Sequence, residues 1–194
     1  MTKARDLANG GFGLVLVKPS TVVGGTDNGK GTVNFTNASS VSLNNTFNSN
    51  YDFYRLIFSV TATSGADANL RLRFRLSGSD ISTSSYYQQF NGFTDFNATD
   101  NFRISGDTSM FLIPFDNTAS GAIYSSVLDV MNPFKTTIKT WHQSIEGVVS
   151  ASSALVNYTG GGAMPFVSSS YDGITIFTTT GTATGSVSVY GYNK

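Results

Sequence analysis

The chain has 194 residues, 12 Lys and Arg against 12 Asp and Glu, and no Cys. One domain of that length buries roughly two-thirds of the surface of its unfolded form, so no staple is required. Without thiols, disulfide frameworks, thiolate metal sites and cysteine nucleophiles are excluded. Charged residues make up only 12%, beside 26 Ser, 23 Thr, 16 Asn and 20 Gly; a neutral hydroxyl- and amide-rich surface has no long-range field to draw in nucleic acid or acidic membranes.

No apolar run approaches the roughly 20 residues of a membrane helix, and MTKARDLANG lacks the apolar core of a secretory signal. A soluble protein made in a cytoplasm is expected. In chain order the first element is a short helix, TKARDLAN (2–9), stopped by Gly10 and Gly11. Beyond it Glu146 is the single Glu, and β-branched and aromatic residues dominate. Alternation predicts strands at 11–17, 32–36, 40–47, 53–63, 69–77, 86–90, 109–115, 121–131, 136–145, 148–157, 173–179 and 184–192. Turn chemistry separates them at GGTDNGKG (24–31), TSGAD (63–67), SGSD (77–80), TGGG (159–162) and TTGTATG (179–185).

Many short strands without helices between them predict an all-β fold, an antiparallel β-sandwich with jelly-roll winding. The glycines of 24–31 predict a hinge, with residues 1–30 as an N-terminal arm and 31–194 as the body.

NLRLRFRLSG (69–78) carries half of the six arginines on one strand face: Arg71, Arg73 and Arg75 alternate with Leu70, Leu72, Phe74 and Leu76. Three guanidinium groups about 7 Å apart repel unless something balances them. Asp forks from neighbouring strands, a contact with another subunit, or an anionic sugar would each do so. The 15 Phe and 9 Tyr are the second unusual feature. SYYQQFNGFTDF (85–96) looks too irregular for a core strand, which assigns Tyr86, Tyr87 and Phe90 to a seam between copies. Phe93, Asp95, Phe96 and Asn97 would then form a loop offered to a ligand.

Catalytic patterns are weak. His142 is the single histidine, beside the single Trp141, and no GxSxG elbow occurs. Asp27, Asp80, Asp107 and Asp116 sit next to Gly, Ser or Asn, and Asp67 lies two residues from Gly65 and Asn69, all in the setting of Asx turns, which leaves no evident pair for glycoside hydrolysis. Asp95 and Asp100 flank Asn97 but match no calcium-loop spacing. The GGFG and TGGG stretches have no Lys-Ser or Lys-Thr to make a phosphate loop. No cofactor or metal is expected.

Together, TKARDLAN (2–9), SNYDFYRLIF (49–58), LRLRFRLSGSD (70–80), LDVMNPF (128–134) and SSYDGITIFTTTGTATGSVSVYGY (169–192) resemble structural proteins of tailed bacteriophages, the class of tail fibres, receptor-binding proteins and head-decoration proteins. The resemblance implies a virion component, homotrimeric, exposed on the particle, contacting other tail or capsid proteins and lacking catalytic activity. A host-adhesion module touching a bacterial surface glycan through the loops at 83–101 and 157–168 is the first expectation. The alternatives are a capsid decoration protein gripping shell subunits through residues 1–30 and, behind it, a polysaccharide depolymerase. In longer fibres the first segment lies inside the chain, whereas here it follows Met1, so fibre tip, short-fibre subunit and capsid knob all stay open.

Overall fold

A computed structural model describes residues 13–64, 69–94, 98–114, 123–149, 154–165 and 169–192. The predicted helix at 2–9 lies outside them, as do Asp95, Phe96 and Asn97. The strands are β1 (Leu14–Leu16), β2 (Thr21–Val23), β3 (Thr26–Asp27), β4 (Thr32–Ala38), β5 (Ser40–Asn44), β6 (Phe53–Ser64), β7 (Asn69–Leu76) and β8 (Ser79–Asp80) in the first half. They continue with β9 (Tyr86–Thr94), β10 (Ala98–Asp107), β11 (Met110–Pro114), β12 (Ile123–Met131), β13 (Lys139–Val149), β14 (Ala154–Met164), β15 (Gly173–Thr178) and β16 (Thr182–Tyr192).

Eight of them form the jelly roll expected from the sequence. In one sheet the order β4-β16-β6-β12 appears, in the other β5-β15-β7-β11. Consecutive members of this set alternate between sheets except β7 and β11, which pair in the smaller one, and this is the double Greek-key winding. Two insertions widen the first sheet: β13 and β14 continue past β12, and the hairpin β9–β10 continues past β14. Every recorded strand pair is antiparallel, and residues of both sheets share one core.

Local chemistry explains the boundaries. Ser77 and Gly78 both have positive φ (50° and 79°), the conformation a two-residue hairpin turn between β7 and β8 demands. The glycine-rich 24–31 stretch is not a hinge. Asp27 Oδ1 accepts hydrogen bonds from the Gly29 and Gly31 amides, and Asn28 N donates to Thr32 O, closing a tight turn. The arm drawn at 1–30 is correspondingly shorter: β1 pairs with β16, β2 with β5 and β3 with β4, and Val17 is in the core, so residues 14–30 belong to the body.

TGGG (159–162) is also not a turn. It lies inside β14, where side chains would collide with neighbouring rings. Trp141 faces Gly162 across the ladder, Phe90 faces Gly160, Tyr158 faces Gly92 and Tyr124 faces Gly147. A Cβ on Gly162 would lie 2.6 Å from the Trp141 ring and 2.2 Å from Tyr87 O; one on Gly147 would lie 2.3 Å from the Tyr124 ring. The glycine is the space the ring occupies.

The rings settle into two nests. Phe74 stacks on Tyr171 at 5.2 Å and on Tyr86 at 6.2 Å, with Phe47 and Trp141 at its edges. Phe90, Phe102 and Phe111 pack mutually at 5.0–5.7 Å, with Tyr158 against Phe102. Such pairs each contribute about 0.5–1.5 kcal/mol beyond area burial.

Gly162→Ala is expected to lower stability by about 1–3 kcal/mol through overpacking against Trp141 and the Tyr87 carbonyl, measured by denaturant unfolding; Trp141→Leu in the same chain should recover part of the loss.

Candidate functional site

The arginine stripe of β7 faces away from the core, because Leu70, Leu72 and Phe74 take the inner positions. Arg75 is only 12% exposed and is saturated by its own subunit. Its Nε donates to Asn44 Oδ1, and its terminal nitrogens reach Asp80, Ser42, Thr175 and the Gly78 carbonyl. Arg71 donates to Asp107 and to Ser109 Oγ. Burial alone would raise the Asp107 pKa, but the Arg71 guanidinium and the Thr108 amide outweigh it and hold it below the ordinary carboxylate value. Arg73 donates through Nε to Thr108 O, and its guanidinium lies 4.5 Å from the centroid of the Phe177 ring.

The predicted seam is corrected for two of its three aromatic members. Tyr86 and Phe90 are fully enclosed in the subunit, and Tyr86 OH donates to Ile81 O while accepting from Phe74 N. The reason is that 86–94 is not an irregular loop but a strand, β9, alternating inward Tyr86, Gln88, Phe90 and Gly92 with outward Tyr87, Gln89, Asn91 and Phe93. The buried Gln88 hides the pattern from a hydropathy count. Its amide pairs with both N and O of Phe111 on β11 in the opposite sheet, replacing a missing strand neighbour. Phe93 is exposed, on strand β9 rather than in a loop.

A constellation missed in the sequence lies on the outer face of the larger sheet. Strand register places Asp129 of β12, Arg55 of β6 and Tyr190 of β16 side by side. Arg55 holds Asp129 in a two-pronged fork, Nε to Oδ1 at 2.8 Å and a terminal nitrogen to Oδ2 at 2.7 Å. The Asp129 hydrogen bond raises the Arg55 pKa further above its ordinary value. The same guanidinium lies 5.8 Å from the Tyr192 ring. Beside it opens a pocket of about 390 Å³ lined by Phe53, Tyr54, Asp129, Val130, Met131 and Tyr192.

Its parts are held from below. Tyr54 is fully buried, its OH bonded to both N and O of Asn48, and burial pushes its pKa up to about 12. Phe53, one residue earlier, points the other way and is 47% exposed. Asp129 is the one carboxylate among the lining residues, and its neighbour across the ladder, His142, is exposed with Nε2 3.4 Å from Thr159 Oγ1. Three separated stretches of the chain meet here: 49–58 supplies Phe53 and Arg55, 128–134 supplies Asp129 and Met131, and 169–192 supplies Tyr192. Arg55 and Asp129 are 74 residues apart, so only the β6–β12 register brings them together.

At the start of β13, Lys139 is fully buried, its ammonium donating to the carbonyls of Lys135 and Thr137 and lying 5.4 Å from the Tyr171 ring. Burial pushes its pKa down to about 8 from an ordinary 10.5.

No family model and no curated protein matches the chain. Among solved structures it is similar to peanut lectin determined with a nine-residue peptide, at 11% identity over 93% of each chain and a TM-score of 0.31.

Arg75→Met strips several acceptors of their donor and should cost about 2 kcal/mol, whereas Arg73→Met should cost less than about 1 kcal/mol; thermal unfolding of the two variants checks the ranking. Lys139 makes a second expectation. Between pH 8 and 10 the unfolded chain keeps a proton that the folded Lys139 has released, so its contribution to stability rises with pH. Wild type should gain on Lys139→Met between pH 7.5 and 9.5 in parallel denaturant titrations.

Proposed function

We propose that this chain is a non-enzymatic adhesion module of a phage particle, and that it holds sugar units of a bacterial surface glycan in the pocket between Phe53 and Tyr192. The observation that carries it is the exposed aromatic wall set against the Arg55–Asp129 fork. A pyranose presents C–H faces and hydroxyl edges. An exposed ring covers the former, and a carboxylate and guanidinium whose mutual fork uses only part of their hydrogen-bonding capacity serve the latter. The pocket volume is within the range of small-ligand sites. Asp129, committed to Arg55 and without a second carboxylate across the pocket, is poorly placed for two-carboxylate hydrolysis.

Placement on a virion and assembly as a homotrimer rest on the sequence resemblance, whose segments converge on the pocket. With Tyr86 and Phe90 inside the subunit, a threefold contact would draw on exposed side chains such as Ile123 and Val23.

Binding to host cells and to their purified surface polysaccharide is expected to weaken about threefold or more in Phe53→Ala and in Tyr192→Ala, and roughly tenfold in the pair. No new reducing ends should appear during incubation. Undiminished binding by the folded double variant would sink the assignment of the pocket, and release of reducing ends would turn the module into a depolymerase.

A further inference from the structure

The face of the smaller sheet has one cation more than its own carboxylates answer. Asp107 serves Arg71 and Asp80 serves Arg75, while Arg73 has no carboxylate among the described residues. The terminal nitrogens of Arg73 have no acceptor among the described residues. The Arg73 guanidinium is nevertheless held, by Thr108 O at Nε and by the Phe177 ring beneath it. A cationic fork fixed at its base, with its outer edge toward solvent, is preorganised for a ligand rather than for its own fold.

From this we infer that Arg73 binds the carboxylate of an acidic sugar, at a second site independent of the aromatic pocket. A guanidinium edge matches a planar carboxylate with two parallel hydrogen bonds. A phosphate dianion is usually met by several cations or free backbone amides, and the β7 and β15 amides beside Arg73 face sheet partners. The sugar part is indicated by the exposed Ser40, the ladder partner of Phe177; the hydroxyls of Ser42 and Thr175 are already engaged by Arg75 and Asp80. With zero net charge on the chain, capture would depend on this contact and not on long-range steering.

The test is NMR titration of the whole chain with tri-galacturonic acid, its methyl ester and inorganic phosphate. Tri-galacturonic acid should move the amide signals of β7 and β15, and 0.5 M NaCl should weaken the effect. Arg73→Ala and Arg73→Lys should each lower affinity about tenfold, the lysine variant because it keeps the charge but loses the fork. Phe177→Leu, which removes the support and leaves the guanidinium, should weaken binding less than Arg73→Ala does. Arg103→Ala, an exposed arginine on the other sheet, should match wild type. Equal binding of the methyl ester, unchanged affinity in folded Arg73→Ala, or phosphate binding as tightly as the uronate would overturn the inference.

Discussion

Several of the largest rings enter the core of this sandwich where the neighbouring strand gives up a side chain. Trp141 over Gly162, Phe90 against Gly160, Tyr158 against Gly92 and Tyr124 against Gly147 repeat one solution along β12, β13, β14 and β9. Glycine weakens a strand by its entropy and its lack of packing surface, and here the ring that lies over it returns that contact. Most of the described aromatic side chains are thereby covered within one subunit, Phe53, Phe93 and Phe134 excepted, and the eight-strand jelly roll carries four added strands in its larger sheet.

Polar groups complete the same core by acting as stand-ins for backbone. Gln88 offers its amide to Phe111, and Gln143 donates to Leu112 O and Ser126 Oγ, so two residues of the larger sheet satisfy the short edge strand β11 where its register on β7 slips. A buried amide left unpaired costs about 1–3 kcal/mol, which makes these glutamines specific to the stacking of one sheet on the other. Tyr54 and Tyr86 do likewise with their hydroxyls, each closing a nearby loop onto the core.

Because rings and amides serve the interior, the two outer faces are free to differ. The larger sheet carries an aromatic pocket with an internally neutralised Arg–Asp fork; the smaller carries a row of guanidinium groups, two neutralised and one open. The three arginine–carboxylate pairs among the described residues lie on these two faces, and the lysine pairs Lys18–Asp27 and Lys135–Asp52 stand apart from them.

Alternation in β6, β7, β12 and β16, together with the turn at 77–80, determined the all-β class from sequence alone, since local periodicity and turn dihedrals act over a few residues. Sequence also determined that Arg71, Arg73 and Arg75 share a face turned away from Leu70, Leu72 and Phe74. Tertiary structure decided everything that depends on which strand lies beside which. It made TGGG part of a strand, put Tyr86 and Phe90 inside, joined 14–30 to the body and brought Arg55 to Asp129 across 74 residues. The physical reason is that glycine, glutamine and arginine have no fixed meaning along a strand: whether each is a gap, a backbone substitute or a charge depends on the side chain presented by its lateral neighbour.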